Sequence, residues 1–156
     1  MDNLVIVFDI DGTMANVDHR RQFVANKPKN WPAWNAAMYR DTVHSDIKFI
    51  WDCFTMMNVN HPTYEDKIIR IFCSGRGEEY RPTTENWLKE HGIYFDKLYM
   101  RGAGDVRKDS IVKVELLQEI RKDYGNPFLW FDDRQQVVDA IRAEGVRVLQ
   151  VAEGNF

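Results

Sequence analysis

The stretch Leu4-Val5-Ile6-Val7-Phe8-Asp9-Ile10-Asp11-Gly12-Thr13 decides the fold. Its first five residues are apolar, rich in β-prone types and bounded by polar residues, so they read as a short strand. Two carboxylates then follow at alternate positions, projecting from the strand end into a loop where Gly12 lets the backbone turn sharply. Two like charges that close are costly unless a cation neutralises them, and oxygen ligands of this kind suit Mg²⁺. An ordinary Asp-rich turn is the plainer alternative.

Outward from this stretch, short apolar runs recur at Ile68 to Cys73, Phe128 to Phe131 and Val146 to Val151, with a weaker one at Lys97 to Met100. Helical patterns lie between them. In Ser110 to Tyr124, residues Val112, Leu116, Leu117, Ile120 and Tyr124 share one face, and Gly125 with Pro127 ends the helix. Strands alternating with helices predict an α/β fold, a parallel sheet covered on both faces, with ligands at the carboxyl ends of the strands.

Two more polar motifs follow predicted strands. Ser74-Gly75-Arg76 offers a hydroxyl, a flexible backbone with exposed N–H groups, and a planar charged fork, all suited to phosphate oxygens; a solvated turn is the alternative. Asp132-Asp133-Arg134 adds carboxylates for a metal or for the start of the next helix, and both roles can coexist. Lys113 stands off the apolar face of its helix and near its amino end, where the helix dipole gives an ammonium group nothing. It is either solvated or paired with an anion.

The chain of 156 residues fits one domain, residues 1–156, and its 44% apolar and 29% charged residues are near globular averages. No apolar run approaches the roughly 20 residues of a membrane helix, and Met1-Asp2-Asn3 opens no secretory signal, so a cytoplasmic location is expected. Cys53 and Cys73 lack a CxxC spacing and read as buried thiols. The net charge of −3 withholds any global attraction to polyanions. The segment from about Asn26 to Pro62 departs from the strand–helix rhythm, being rich in Trp, Met and Asn, and is expected as a small helical insert whose aromatics mostly face the core.

DIDGT after the first strand, SGR after the second, a Lys in a later helix and FDD after the fourth resemble, in order and placement, the four motifs of the haloacid dehalogenase superfamily. Within it, FDIDGTMANVDHRR, FCSGR, GDVRKDSIVKVE, FDDRQQVVD and VLQVAEGNF are similar to the 3′-phosphatase domain of bacteriophage polynucleotide kinase-phosphatase. The likeness implies a HAD-like three-layer sandwich with strand order 5-4-1-2-3 and a magnesium-dependent phosphomonoester hydrolase.

By this resemblance Asp9 is the nucleophile, forming a phosphoaspartate, and Asp11 the general acid and base. Mg²⁺ would be held by an Asp9 oxygen, the Asp11 backbone carbonyl and Asp132, with Asp133 as a ligand or orienting group. Ser74, Gly75, Arg76 and Lys113 would meet the phosphoryl oxygens, Asp109 would orient Lys113, and Arg20, chosen over Arg21 by its spacing from Asp9, would meet the substrate.

The implied substrates are 3′-phosphorylated DNA or RNA ends, approached through an open site because only about 50 residues separate Thr13 from the second strand. Arg20, Arg76, Arg101, Arg107 and Lys108 are expected to supply a local basic surface. No GxxxxGK[ST] loop is present, so any accompanying 5′-kinase, or a ligase, is expected on another polypeptide. A small-phosphoester hydrolase and an inactive end-binding module are the rival readings.

Overall fold

In a computed structural model, residues 3–60 and 67–155 are described. The central sheet is built from β1 (Leu4–Phe8), β4 (Ile68–Gly77), β5 (Lys97–Arg101), β6 (Leu129–Asp132) and β7 (Val148–Gln150). Every pairing in it is parallel, in the order β5-β4-β1-β6-β7. This numbering differs in detail from the expected 5-4-1-2-3, because the insert contributes two short strands that the expectation did not count. These are β2 (Ala15–Asn16) and β3 (Thr42–Val43), which form a separate antiparallel ribbon.

Alternation along each strand sorts the core into two layers. Val5, Val7, Ile69, Ile71 and Cys73 face Val112, Leu116, Leu117 and Ile120 of α4 (Asp109–Tyr124) and Val137, Val138 and Ile141 of α5 (Gln135–Ala143). Ile6, Phe8, Phe72, Leu98 and Phe131 face Trp51 of α2 (Ser45–Asn60) and Trp87 and Leu88 of α3 (Arg81–Glu90). Strands buried on both faces need continuous apolar sequence, which is why β1 reads as an unbroken run. Aromatic rings lock the second layer: Phe8 stacks on Phe131 at 4.2 Å and Trp51 on Phe72 at 4.3 Å.

The insert is only partly core. Met38 and Trp51 are buried, but Trp31, Tyr39, Phe49, Met56 and Met57 are exposed, so the expectation that most of its aromatic and Met residues face the core is corrected. The reason is geometric. α2 lays one face on the sheet, through Trp51 and through Asn58, whose amide bonds both the N–H and the carbonyl of Ile68, and the other face is left to solvent. Cys53 lies on that exposed side and is not a buried thiol, whereas Cys73 is buried in β4. Pro62, the expected end of the insert, lies outside the described residues. Among the described residues, no helix is long and apolar enough to cross a membrane.

Candidate active site

β1, β4 and β6 are adjacent, so their carboxyl ends bring three predicted motifs to one edge. Asp9 follows β1, and its N–H bonds the Phe131 carbonyl of β6 at 2.9 Å, which fixes the first loop against the third. Asp9, Asp132 and Asp133 each offer a carboxylate oxygen within 4.8 Å of the others, and all three residues are buried. Gly12 has φ +85°, and a Cβ there would lie 2.2 Å from Asp133 Oδ2, so glycine provides both the turn and the room for this carboxylate.

Lys113 resolves the choice left open by its sequence position. It is 1% exposed, and its Nζ donates to Asp9 Oδ1 and to Asp132 Oδ2, both at 2.7 Å. Burial works against the ammonium ion, but Asp132 and Asp9 outweigh it and hold the group well above its usual pKa. Asp9 is pushed well up by burial; Lys113 opposes this, while Asp132 and Asp133 add to it. Asp133 is raised to about 6, first by burial and then by Asp132. Three crowded carboxylates with one ammonium ion leave an excess of negative charge. Hard oxygen donors in this arrangement fit Mg²⁺. Asp132 Oδ1 also accepts from the Arg134 N–H at 3.1 Å, which braces the loop before α5; Arg134 holds the N-cap position, so the expected capping carboxylate is corrected.

The Asp11 carboxylate turns away from that cluster toward two arginines. Its Oδ1 accepts from Arg20 at 2.7 Å and from Arg76 at 2.6 and 3.0 Å. Burial raises the Asp11 pKa, yet Arg76 and Arg20 together overcome it and bring the group to about 2. Both arginines also bind a residue the sequence did not single out. Asp41, 2% exposed, accepts from Arg20 at 2.7 and 2.5 Å and from Arg76 at 3.0 Å, and its Oδ1 contacts His19 Nε2 at 2.8 Å. Arg40-Asp41-Thr42 reads as a plain turn. The available signal was charge balance, since two buried guanidinium ions need more than the single carboxylate of Asp11.

Ser74, Gly75 and Arg76 lie within β4 rather than beyond it. The strand runs on to Gly77, with a register shift against β5 between Ser74 and Gly77 that lets the motif bulge. Ser74 Oγ accepts from the Arg76 N–H at 3.2 Å. A Cβ on Gly75 would fall 2.3 Å from Asp109 Oδ1. Asp109 forms an ion pair with Lys113 at 3.9 Å and accepts a hydrogen bond from Arg101 at 3.2 Å.

The expected basic surface is largely neutralised. Arg20 and Arg76 are consumed by Asp11 and Asp41, Arg101 meets Asp109, and Arg107 is bonded to Asp105 and Glu115; Lys108 is exposed.

A five-stranded parallel sheet with an acidic cluster and a buried lysine at its carboxyl edge is the architecture of the haloacid dehalogenase class. The chain superposes on L-2-haloacid dehalogenase from Xanthobacter autotrophicus with TM-score 0.63 at 14% identity, covering 96% of this chain and 77% of that one, a likeness of fold. The sequence profile of the polynucleotide kinase PNKP phosphatase domain matches residues 3–156, and the chain belongs to that family. A protein of Autographa californica nuclear polyhedrosis virus, described as a candidate bifunctional polynucleotide kinase/RNA ligase, is 31% identical over 137 residues, 85% of this chain. A chain of the Pnkp1/Rnl/Hen1 complex aligns with TM-score 0.78 at 28% identity over 99% of this chain. The present chain spans 17% of the viral protein and 48% of the complex chain.

Proposed function

We propose that this domain removes the 3′-terminal phosphate from DNA or RNA ends through a phosphoaspartate on Asp9. The observation that carries the reading is the pairing of Asp9 with Lys113 inside an acidic cluster, next to two arginines that share Asp11. Asp9 Oδ1 is committed to Lys113, whereas Oδ2 accepts, among the described residues, a 3.3 Å contact from the Thr13 hydroxyl, which leaves electron pairs for attack.

Attack by Asp9 forms the O–P bond as the P–O3′ bond breaks, and the leaving oxygen takes a proton from Asp11. A water then attacks phosphorus, gives its proton back to Asp11, and the Asp9–phosphorus bond breaks. Asp11 at about 2 is a poor acid donor in the resting state, because it is already ionised. A phosphoryl dianion beside Arg20 and Arg76 competes for their N–H groups. Loss of those hydrogen bonds raises the proton affinity of Asp11 when the leaving group needs the proton. Ser74 and the backbone of Gly75 would hold phosphoryl oxygens, while Asp109 with Arg101 fixes the wall against which they sit. Mg²⁺ held by Asp9, Asp132, Asp133 and the Asp11 carbonyl would supply positive charge to the phosphoryl oxygens and offset repulsion between them and the carboxylates.

The viral relative's described kinase and ligase, and the occurrence of the other relative in the Pnkp1/Rnl/Hen1 complex, support action beside a kinase or ligase. Phosphate release from matched 3′- and 5′-phosphorylated oligonucleotides, with and without Mg²⁺, tests the reading. The 3′ end should be the substrate, only with Mg²⁺, and Asp9→Asn should abolish release. Activity confined to the 5′ end, or greater on a nucleoside monophosphate, would overturn it.

A further inference from the structure

The insert presents an aromatic pair of which Trp34 packs against the core and Trp31 does not. α1 (Trp31–Ala36) carries Trp31, 49% exposed, and Trp34, half-buried, with their rings edge to face at 6.4 Å. Trp34 is not a loose surface ring. Arg20 lies over it at 4.1 Å, and the same guanidinium donates to Asp11. One guanidinium group therefore separates the indole from the carboxylate assigned to protonate the leaving oxygen.

The helix is held by three hydrogen bonds, two at its amino end and one farther along. The Asn30 side chain caps it at Ala33 N–H, the Asn30 N–H bonds the Phe23 carbonyl, and Asn35 donates to the Tyr80 hydroxyl just before α3. An aromatic pair with one exposed ring, fixed in place at the edge of a site, behaves as a surface, since its ordering entropy is already spent before any ligand arrives.

Charge agrees with position. From Val24 to Arg40 the chain contains Lys27, Lys29 and Arg40 and no Asp or Glu, against a net charge of −3 for the whole. All three cations are exposed, and Lys29 lies 5.4 Å from the Trp31 ring. Aromatic faces interleaved with cations suit a single-stranded polynucleotide, whose bases stack while its backbone tracks the charge.

We infer that Trp31 and Trp34, with Lys29 beside Trp31, form the subsite for the terminal nucleoside of the strand whose 3′ phosphate is bound at Arg20 and Arg76. This rests on the 3′-phosphatase reading and assigns the substrate's base to a place outside the reacting centre. Stacking tolerates any base, so the subsite gives strand recognition without sequence preference.

The test compares two 3′-phosphorylated oligonucleotides that differ only in whether the terminal sugar carries its base or is abasic. The wild-type protein should show a KM for the abasic end higher by on the order of tenfold, the magnitude of one base–aromatic stack. Trp31→Ala should erase that difference and Trp31→Phe should retain it. Equal KM values for the two strands in the wild type, while both release phosphate, would overturn the subsite and leave the 3′-phosphatase reading standing. So would a Trp31→Ala protein that keeps the full preference. Failure of both strands to release any phosphate would instead sink the functional reading, and the subsite with it.

Discussion

Replacing Lys113 by Met keeps the length of the side chain and removes its charge. The ammonium group sits 2.7 Å from both Asp9 and Asp132 and is buried at 1% exposure, so solvent cannot take its place. Breaking a buried ion pair by deleting one partner costs about 3–5 kcal/mol. For a domain of this size that corresponds to a fall in melting temperature of roughly 6–20 °C. The carboxylates limit the loss by taking up protons, because each is then raised further in the folded state than in the unfolded chain. A raised carboxylate contributes a penalty that grows with pH, so the deficit relative to wild type should be smaller near about pH 5 than near about pH 8. Mg²⁺, placed among the same oxygens, should restore more stability to the variant than it adds to the wild type. Thermal melts of both proteins at the two pH values, in EDTA and in Mg²⁺, read all of these effects. A Lys113→Met protein melting within about 2 °C of wild type in EDTA at the higher pH would refute the compensation argument.

Asp41→Asn leaves Arg20 and Arg76 with Asp11 as their main carboxylate partner, and should cost about 3 kcal/mol in a denaturant titration together with a large fall in kcat. Retention of wild-type turnover would show that Asp41 does not hold the arginines in place. Asp133, raised to about 6 by burial and by Asp132, binds more protons folded than unfolded. The Asp133 contribution to metal-free stability should therefore be lost as pH rises from about 4 to about 6, and Asp133→Asn should flatten the slope over that range when followed by chemical denaturation. Gly12→Ala combines an unfavourable φ with a Cβ 2.2 Å from Asp133 Oδ2, so calorimetry should find Mg²⁺ affinity reduced by at least tenfold.

The sheet was legible because its strands are buried on both faces, which forces unbroken apolar runs such as Leu4 to Phe8 and places the polar motifs at the ends of those runs. The clustering of Asp9, Asp132 and Asp133 follows from strand adjacency, which the family likeness supplied and which no local pattern encodes. Lys113 was half legible: its offset from the apolar face of α4 marked it as unusual, but only the tertiary structure shows it buried between two carboxylates. Asp41 was silent because its partners are 21 and 35 residues distant, and a turn aspartate looks the same whether it faces water or two guanidinium ions. The exposed rings of the insert were misjudged for a related reason. Aromatic content predicts burial only when a periodic face directs it inward; α1, which carries Trp31, is too short to show one, and Phe49 lies on the solvent face of α2.

Asp41 belongs to the insert, and its backbone carbonyl also accepts from buried Trp87 Nε1 of α3 at 2.8 Å. The insert is thus tied into the floor of the candidate site by a carboxylate, and cannot be exchanged as a modular roof. Any transplanted segment would have to bring an anion to the same spot, or two guanidinium ions would collapse onto Asp11, the aspartate proposed as the proton donor.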